Sequence, residues 1–205
     1  TLDGTYCTST SIDASGIVFN KVTISRTLDC FYTNVILTIA AGTTLPLGDT
    51  PTLTYKNTRV AGSSYATLTN NGTLTTGSGK LTVDMAGYLY SYFHNKGTLN
   101  FDSSSSIVFN GRLINYIDKT FSAKNSTTVE VVSIGNSGTI NTDIGSTFTI
   151  KDLTTDANSQ FITANNPTFN VAGSFIVDSG STFPTSGVDL NITGRGVLIG
   201  VLDSG

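Results

Sequence analysis

The stretch Asn95-Lys96-Gly97-Thr98-Leu99-Asn100-Phe101 decides the fold of this chain, because the chain restates it. Asn70-Asn71-Gly72-Thr73-Leu74 stands 25 positions before it, and Asn136-Ser137-Gly138-Thr139-Ile140-Asn141 stands 41 after it. The shared unit is Asn-x-Gly-Thr-(Leu/Ile). It reads as a turn whose glycine (Gly72, Gly97, Gly138) accepts positive φ, followed by a β-branched residue that opens a short strand. Self-similarity at roughly 20–50 residues marks a solenoid or array. The longer gap fits two turns of about 20 residues, and Phe109-Asn110-Gly111-Arg112-Leu113 inside it reads as a degraded copy of the unit.

A second strand phase runs through Leu81-Thr82-Val83, Ile107-Val108-Phe109, Val129-Glu130-Val131, Phe148-Thr149-Ile150 and Phe175-Ile176-Val177. Each tends to follow a Gly or Ser cluster. Two strand types recurring once per coil, with unequal coil lengths, are what a β-solenoid with loops at its corners shows. The expected fold is therefore all-β: a single-stranded parallel β-helix with an irregular N-terminal cap. The cap and first coils fall in 1–60 and the remaining coils in 61–205, within one domain.

Composition narrows the class. Only 12% of the 205 residues are charged, while 38% are hydrophobic, so the chain lacks the signature of disorder. A hydroxyl-rich, weakly charged surface suits an extracellular protein. Net charge −3 gives no electrostatic reason to bind nucleic acid or an anionic membrane. No apolar run reaches the roughly 18 residues of a membrane helix. Cys7 and Cys30, one even pair in a Thr/Ser-rich chain, suggest a disulfide in an oxidising compartment over two free thiols. Such a bridge would restrain the unfolded chain by about 3 kcal/mol. The apolar run Val197-Leu198-Ile199-Gly200-Val201-Leu202 has no polar cap behind it, so the natural protein is expected to continue beyond Gly205.

Catalytic chemistry finds little to stand on. A β-helical polysaccharide-active enzyme needs clustered carboxylates, whereas Asp143, Asp152 and Asp156 are spread out and Glu130 is the sole glutamate. His94, the sole histidine, lies in a tyrosine-rich strand without a nucleophile motif, which favours a structural role. No metal or cofactor is expected. Ice binding draws on Thr-x-Thr ranks, but Thr52, Thr67, Thr73 and Thr147 begin their pairs at spacings that do not repeat, so those pairs are not expected to stack.

The most pointed constellation is Gly87-Tyr88-Leu89-Tyr90-Ser91-Tyr92-Phe93-His94. On a strand, Tyr88, Tyr90 and Tyr92 share one face; with Leu89 and Phe93 inside, the tyrosines form an outward stripe. Such rings are suited to stacking on sugars or anchoring a protein. Asn71, Asn125 and Asn191 each head an Asn-x-Thr triplet and are candidate N-glycosylation sites.

The Asn-x-Gly-Thr-(Leu/Ile) turns, the short Thr/Ser/Asn-rich strands and the N-terminal cysteine pair together resemble the hyphally regulated cell-wall protein domain, the N-terminal domain of fungal wall adhesins. The resemblance implies a right-handed β-helix displayed at the cell wall by a GPI-anchored protein and working in adhesion or biofilm formation. It carries over no catalytic or ligand-binding residue. The expectation is a non-catalytic, monomeric adhesin domain whose ligand is a glycan, a protein or an abiotic surface. A structural spacer is the alternative, and a β-helical polysaccharide-active enzyme a more distant one.

Overall fold

A computed structural model of the chain describes residues 7–13, 23–28, 33–39, 41, 44–47, 52–57, 65–76, 80–84, 90–101, 104–164, 166–184, 186–198 and 201–203, with side chains essentially from Thr67 to Arg195. All regular elements among them are strands, and all strand pairs are parallel. They form two sheets of 14 and 8 strands. Each strand lies beside its counterpart one coil away, which is the β-solenoid expected from the repeats.

One coil shows the plan. Ser106–Asn115 is ten residues long and has a register shift between Phe109 and Arg112. Its first half pairs with Lys80–Asp84 and its second with Tyr90–Asn95. A bulge inserts an extra residue and bends the strand, so one strand supplies two faces of the coil. A corner leads to the third face, Thr120–Ala123, and a second corner leads to Thr128–Asn136, which begins the next coil. The segment 109–113 is thus the bulge between two faces and not a copy of the repeated turn.

The alternation of strand side chains fills the interior. Leu81, Ile107, Val129, Phe148 and Phe169 line up inside the first face. Phe93, Leu113, Ile134, Leu153 and Phe175 do so inside the second. Phe175 therefore belongs to the second face, and Phe169 takes the first-face place that periodicity gave it. Leu74, Leu99, Phe121, Ile140 and Phe161 line the third. These residues are buried, each contributing about 1.5–3 kcal/mol of transfer free energy. Phe148 and Phe169 stack at 4.6 Å with nearly parallel planes.

The repeated asparagines form the second structural column. Asn70, Asn95, Asn115 and Asn136 are fully buried at the first corner. Amide passes to amide: Asn70 Nδ2 donates to Asn95 Oδ1 (3.0 Å), Asn95 Nδ2 to Asn115 Oδ1 (2.8 Å), and Asn115 Nδ2 to Asn136 Oδ1 (2.9 Å). The same nitrogens also reach the carbonyls of Thr98, Thr120 and Thr139 in the next coil. A buried amide left unpaired would cost about 1–3 kcal/mol; the relay supplies a partner to the side-chain oxygens of Asn95, Asn115 and Asn136 and locks the register of the corner. The coil that breaks the sequence period is Asn115 to Thr120, between Thr98 and Thr139, giving the two shorter steps the spacing required.

Gly97 and Gly138 are needed for a different reason from the expected one. Neither adopts positive φ. A Cβ on Gly97 would lie 2.0 Å from the carbonyl oxygen of Gly72, and one on Gly138 2.3 Å from that of Tyr116. Stacked corners approach too closely for a side chain. Gly72 supplies that carbonyl, which accepts from the Thr98 amide at 2.9 Å.

Parallel pairing continues towards the N-terminus: Thr33–Ile39 lies beside Tyr65–Asn70, and Cys7–Asp13 beside Thr33–Ile39. The Cys7 side chain and Cys30 lie outside the described residues, as does the proposed bridge.

Candidate functional site

The strand that carries Tyr90 and Tyr92 lies on the second face, where Tyr90–Asn95 pairs with Tyr65–Asn70 on one side and with residues 112–115 on the other. Phe93 and Asn95 point inward and are fully buried, so Tyr92 and His94 point out, as the parity of the strand requires. Tyr92 is half-buried. Tyr88 lies outside the described residues, and Tyr90 contributes its backbone to the strand while its side chain lies outside them.

What sequence reading missed is Tyr116. It follows Asn115 in the next coil's corner, which brings it over His94. Its hydroxyl is 3.1 Å from His94 Nδ1, and the two ring centroids are 5.6 Å apart. On the other side of His94, Tyr92 meets the imidazole edge-on at 5.6 Å. The Lys96 ammonium lies 5.0 Å from the centre of the Tyr116 ring, at cation–π distance. Two coils thus build one outward cluster of Tyr92, His94, Lys96 and Tyr116. The signal was present once Asn115 is aligned with Asn95, because Tyr116 then takes the place next to Lys96.

His94 titrates below its ordinary range, first because burial disfavours the imidazolium and second because the Lys96 ammonium repels it. A neutral ring with its proton on Nε2 leaves Nδ1 to accept from the Tyr116 hydroxyl. The pair fixes the ring orientation of Tyr116 and leaves its face towards Lys96. Beside the cluster, the exposed Arg112 lies in register with Tyr92, and its guanidinium spreads over Gly135, where a Cβ would come within 3.0 Å. The surface therefore combines aromatic faces with cations. It is suited to non-covalent contact through stacking, hydrogen bonding and charge.

The acids flagged in the sequence sit at separate places in the coil. Asp152 is on the second face and accepts from the Ser174 amide at 2.8 Å. Asp156 is at the first corner and accepts from the Ser137 hydroxyl. Asp143 is at the second corner, accepting from the Ile144 amide at 2.7 Å. Glu130 lines a groove of about 450 Å³ along the bend between the first two faces, together with Val108, Val132 and Lys151. Among the described residues no three His, Cys, Asp or Glu side chains are grouped to hold a metal, and no helix is long and apolar enough to cross a membrane. Of the candidate glycosylation sites, Asn125 and Asn191 are exposed and Asn71 is half-buried. Asn125 adopts φ 50° at the second corner, and Asn191 donates to Asn170 Oδ1 at 3.1 Å.

No protein-family model, curated protein or solved structure matches the chain.

Proposed function

We propose that the chain is a non-catalytic, surface-exposed attachment domain of a secreted fungal-type wall protein, held at the wall through a GPI anchor elsewhere in the full-length protein. In this reading the coils are a rigid support. The Tyr92–His94–Tyr116 cluster with Lys96 is the contact surface, acting towards a glycan, a protein or an abiotic surface. The observation that carries the reading is the meeting of these four side chains from two coils on an outward face. Rings held by a hydrogen bond and edge-on packing lose little freedom on binding, and tyrosine is over-represented at binding hot spots.

The test is an adhesion assay on glycan-coated, protein-coated and bare surfaces, comparing the native chain with Tyr92→Ser, Tyr116→Ser and the double variant. The reading expects the double variant to lose most retention on at least one surface while keeping its β circular dichroism. Equal retention by native and double variant removes the cluster from the binding surface. A spacer role has its own support, because parallel pairing runs without a break from Cys7–Asp13 to Asp189–Ile192. It predicts that no surface retains the native chain.

A further inference from the structure

The outward side of the third face carries two columns of side chains. The first is Thr73, Thr98, Thr120 and Thr139, and the second is Thr75, Asn100, Ser122 and Asn141; both are in register across four successive coils. The Thr-x-Thr pairs conspicuous in the sequence do not make this array. Thr52 and Thr147 lie on the first face, Thr67 lies on the second, and only Thr73-Leu74-Thr75 takes part. The array is built from threonines whose partner two positions on is Asn or Ser, which is why a Thr-x-Thr search passes over it.

Three features separate this face from the others. Its pairings from Thr73 to Thr142 contain no register shift, whereas the strands forming the first two faces carry a bulge. Neither column holds a charge over these coils, while the other faces present Glu130, Arg112 and Asp152. Its side chains are short and, being stacked on one another, partly buried, with Ser122 buried outright; Asn141 Nδ2 reaches Ser122 Oγ at 3.4 Å. β-branched threonines have stiff χ1 angles, so the array is ordered before it meets anything.

We propose that this face adsorbs to ice. Threonine hydroxyl and methyl groups recur about 4.8 Å apart along the first column, and the second column of Thr75, Asn100, Ser122 and Asn141 lies about 6.6 Å across from it, from strand spacing and rise. A two-column array that repeats along its axis finds its complement in a partner with a regular lattice of its own. Oxygen spacings on ice faces fall close to these, and an uncharged face of hydroxyls and methyls can hold water in ice-like positions. At the first corner Lys96, Asp118 and Lys119 border a polar cleft of about 300 Å³ that Thr73, Thr98 and Thr120 also line, so charge flanks one edge of the array and the two columns themselves carry none. The columns hold no aromatic ring, which disfavours a crystalline polysaccharide as the partner.

The experiment grows an ice hemisphere slowly from a dilute solution of the chain and measures the fraction taken into the ice, with inhibition of ice recrystallisation as a second readout. The native chain is expected in the ice and to restrain recrystallisation. Thr98→Lys with Thr120→Lys should lose both activities, while Thr149→Lys, exposed on the first face, should retain them. If the double variant loses its β circular dichroism, Asn100→Lys replaces it and should show the same loss. Exclusion of the native chain from ice, or full retention by these third-face variants, overturns the proposal; so does exclusion from ice accompanied by binding to crystalline chitin or cellulose. Loss of surface adhesion in the Tyr92→Ser, Tyr116→Ser variant with ice uptake intact keeps the two surfaces distinct.

Discussion

The first corner exists in two lengths, and the contrast explains both how the coils stack and where a surface site can form. Short corners pass from buried Asn to the third face in three steps, at Asn70–Thr73, Asn95–Thr98 and Asn136–Thr139. Long ones take five, at Asn115–Thr120, Thr155–Gln160 and Val177–Thr182. Long corners close a turn of their own, with the amides of Lys119, Ser159 and Ser181 donating to the carbonyls of Tyr116, Asp156 and Asp178 at 3.0–3.1 Å. Asp118 and Asn158 take left-handed φ of 58° and 68° to do so. The short corners are flush, and a glycine meets the preceding coil at Gly97 and Gly138. In the first long corner the extra residues Ile117 and Asp118 are exposed, and Tyr116 leans over His94.

The buried column also changes along the rod. Where Asn136 would be followed by another amide stands Thr155, whose hydroxyl is 2.7 Å from that of Ser181 and accepts from the Asp178 amide at 3.0 Å. A relay of amides thus gives way to a pair of hydroxyls. The amide binds across two coils at once, and the hydroxyl pair makes fewer such links. Stability should therefore be more sensitive to the amide column.

The largest expected effect follows. Asn115→Ala breaks the relay on both sides and leaves buried carbonyls without a donor, at about 1–3 kcal/mol for each orphaned group. Denaturant unfolding should show a loss of about 3 kcal/mol or more, against about 1–2 kcal/mol for Thr155→Val. Equal losses would abolish the distinction between the two columns. Next, Gly97→Ala forces a Cβ onto the Gly72 backbone and should cost about 1–3 kcal/mol. Gly135→Ala meets only the mobile end of Arg112 and should cost less than about 1 kcal/mol. In the long corner, Asp118→Val should cost about 1–2 kcal/mol because a β-branched residue resists left-handed φ, while Asp118→Gly should be close to neutral.

The smallest effect concerns pH. His94 holds its folded pKa below the ordinary 6.5, so as pH falls through that value the unfolded chain binds a proton that the folded chain refuses until lower pH. Stability should decline on acidification across this window and level off below the folded pKa. His94→Phe should flatten that decline in urea titrations at stepped pH. An unchanged slope in the variant would place the pH dependence elsewhere.

Much of the fold was legible because the short corners write themselves into sequence as Asn-x-Gly-Thr, and because the interior alternates apolar residues with period two. The long corners were not, since five residues with varied side chains can close the same turn. Asn115-Tyr116-Ile117-Asp118-Lys119 shares only its first residue with the motif, so a glycine inside a bulge, Gly111, drew the reading instead. The role of Gly97 and Gly138 was also hidden, because close approach and positive φ select the same residue. Of the cluster, Tyr92 was legible from strand parity. Tyr116 was not, because it reaches His94 only through the register of two coils.

The account rests on that register. It can be tested by pairing cysteines in a Cys7→Ser, Cys30→Ser background and following disulfide formation under mild oxidation. Thr98→Cys with Thr120→Cys joins neighbouring coils at about 4.8 Å strand spacing, within disulfide reach, and should cross-link readily. Thr98→Cys with Thr139→Cys skips a coil and should not. Rapid cross-linking of the second pair without the first would contradict the stacking of Thr98 on Thr120, and with it the meeting of Tyr116 and His94.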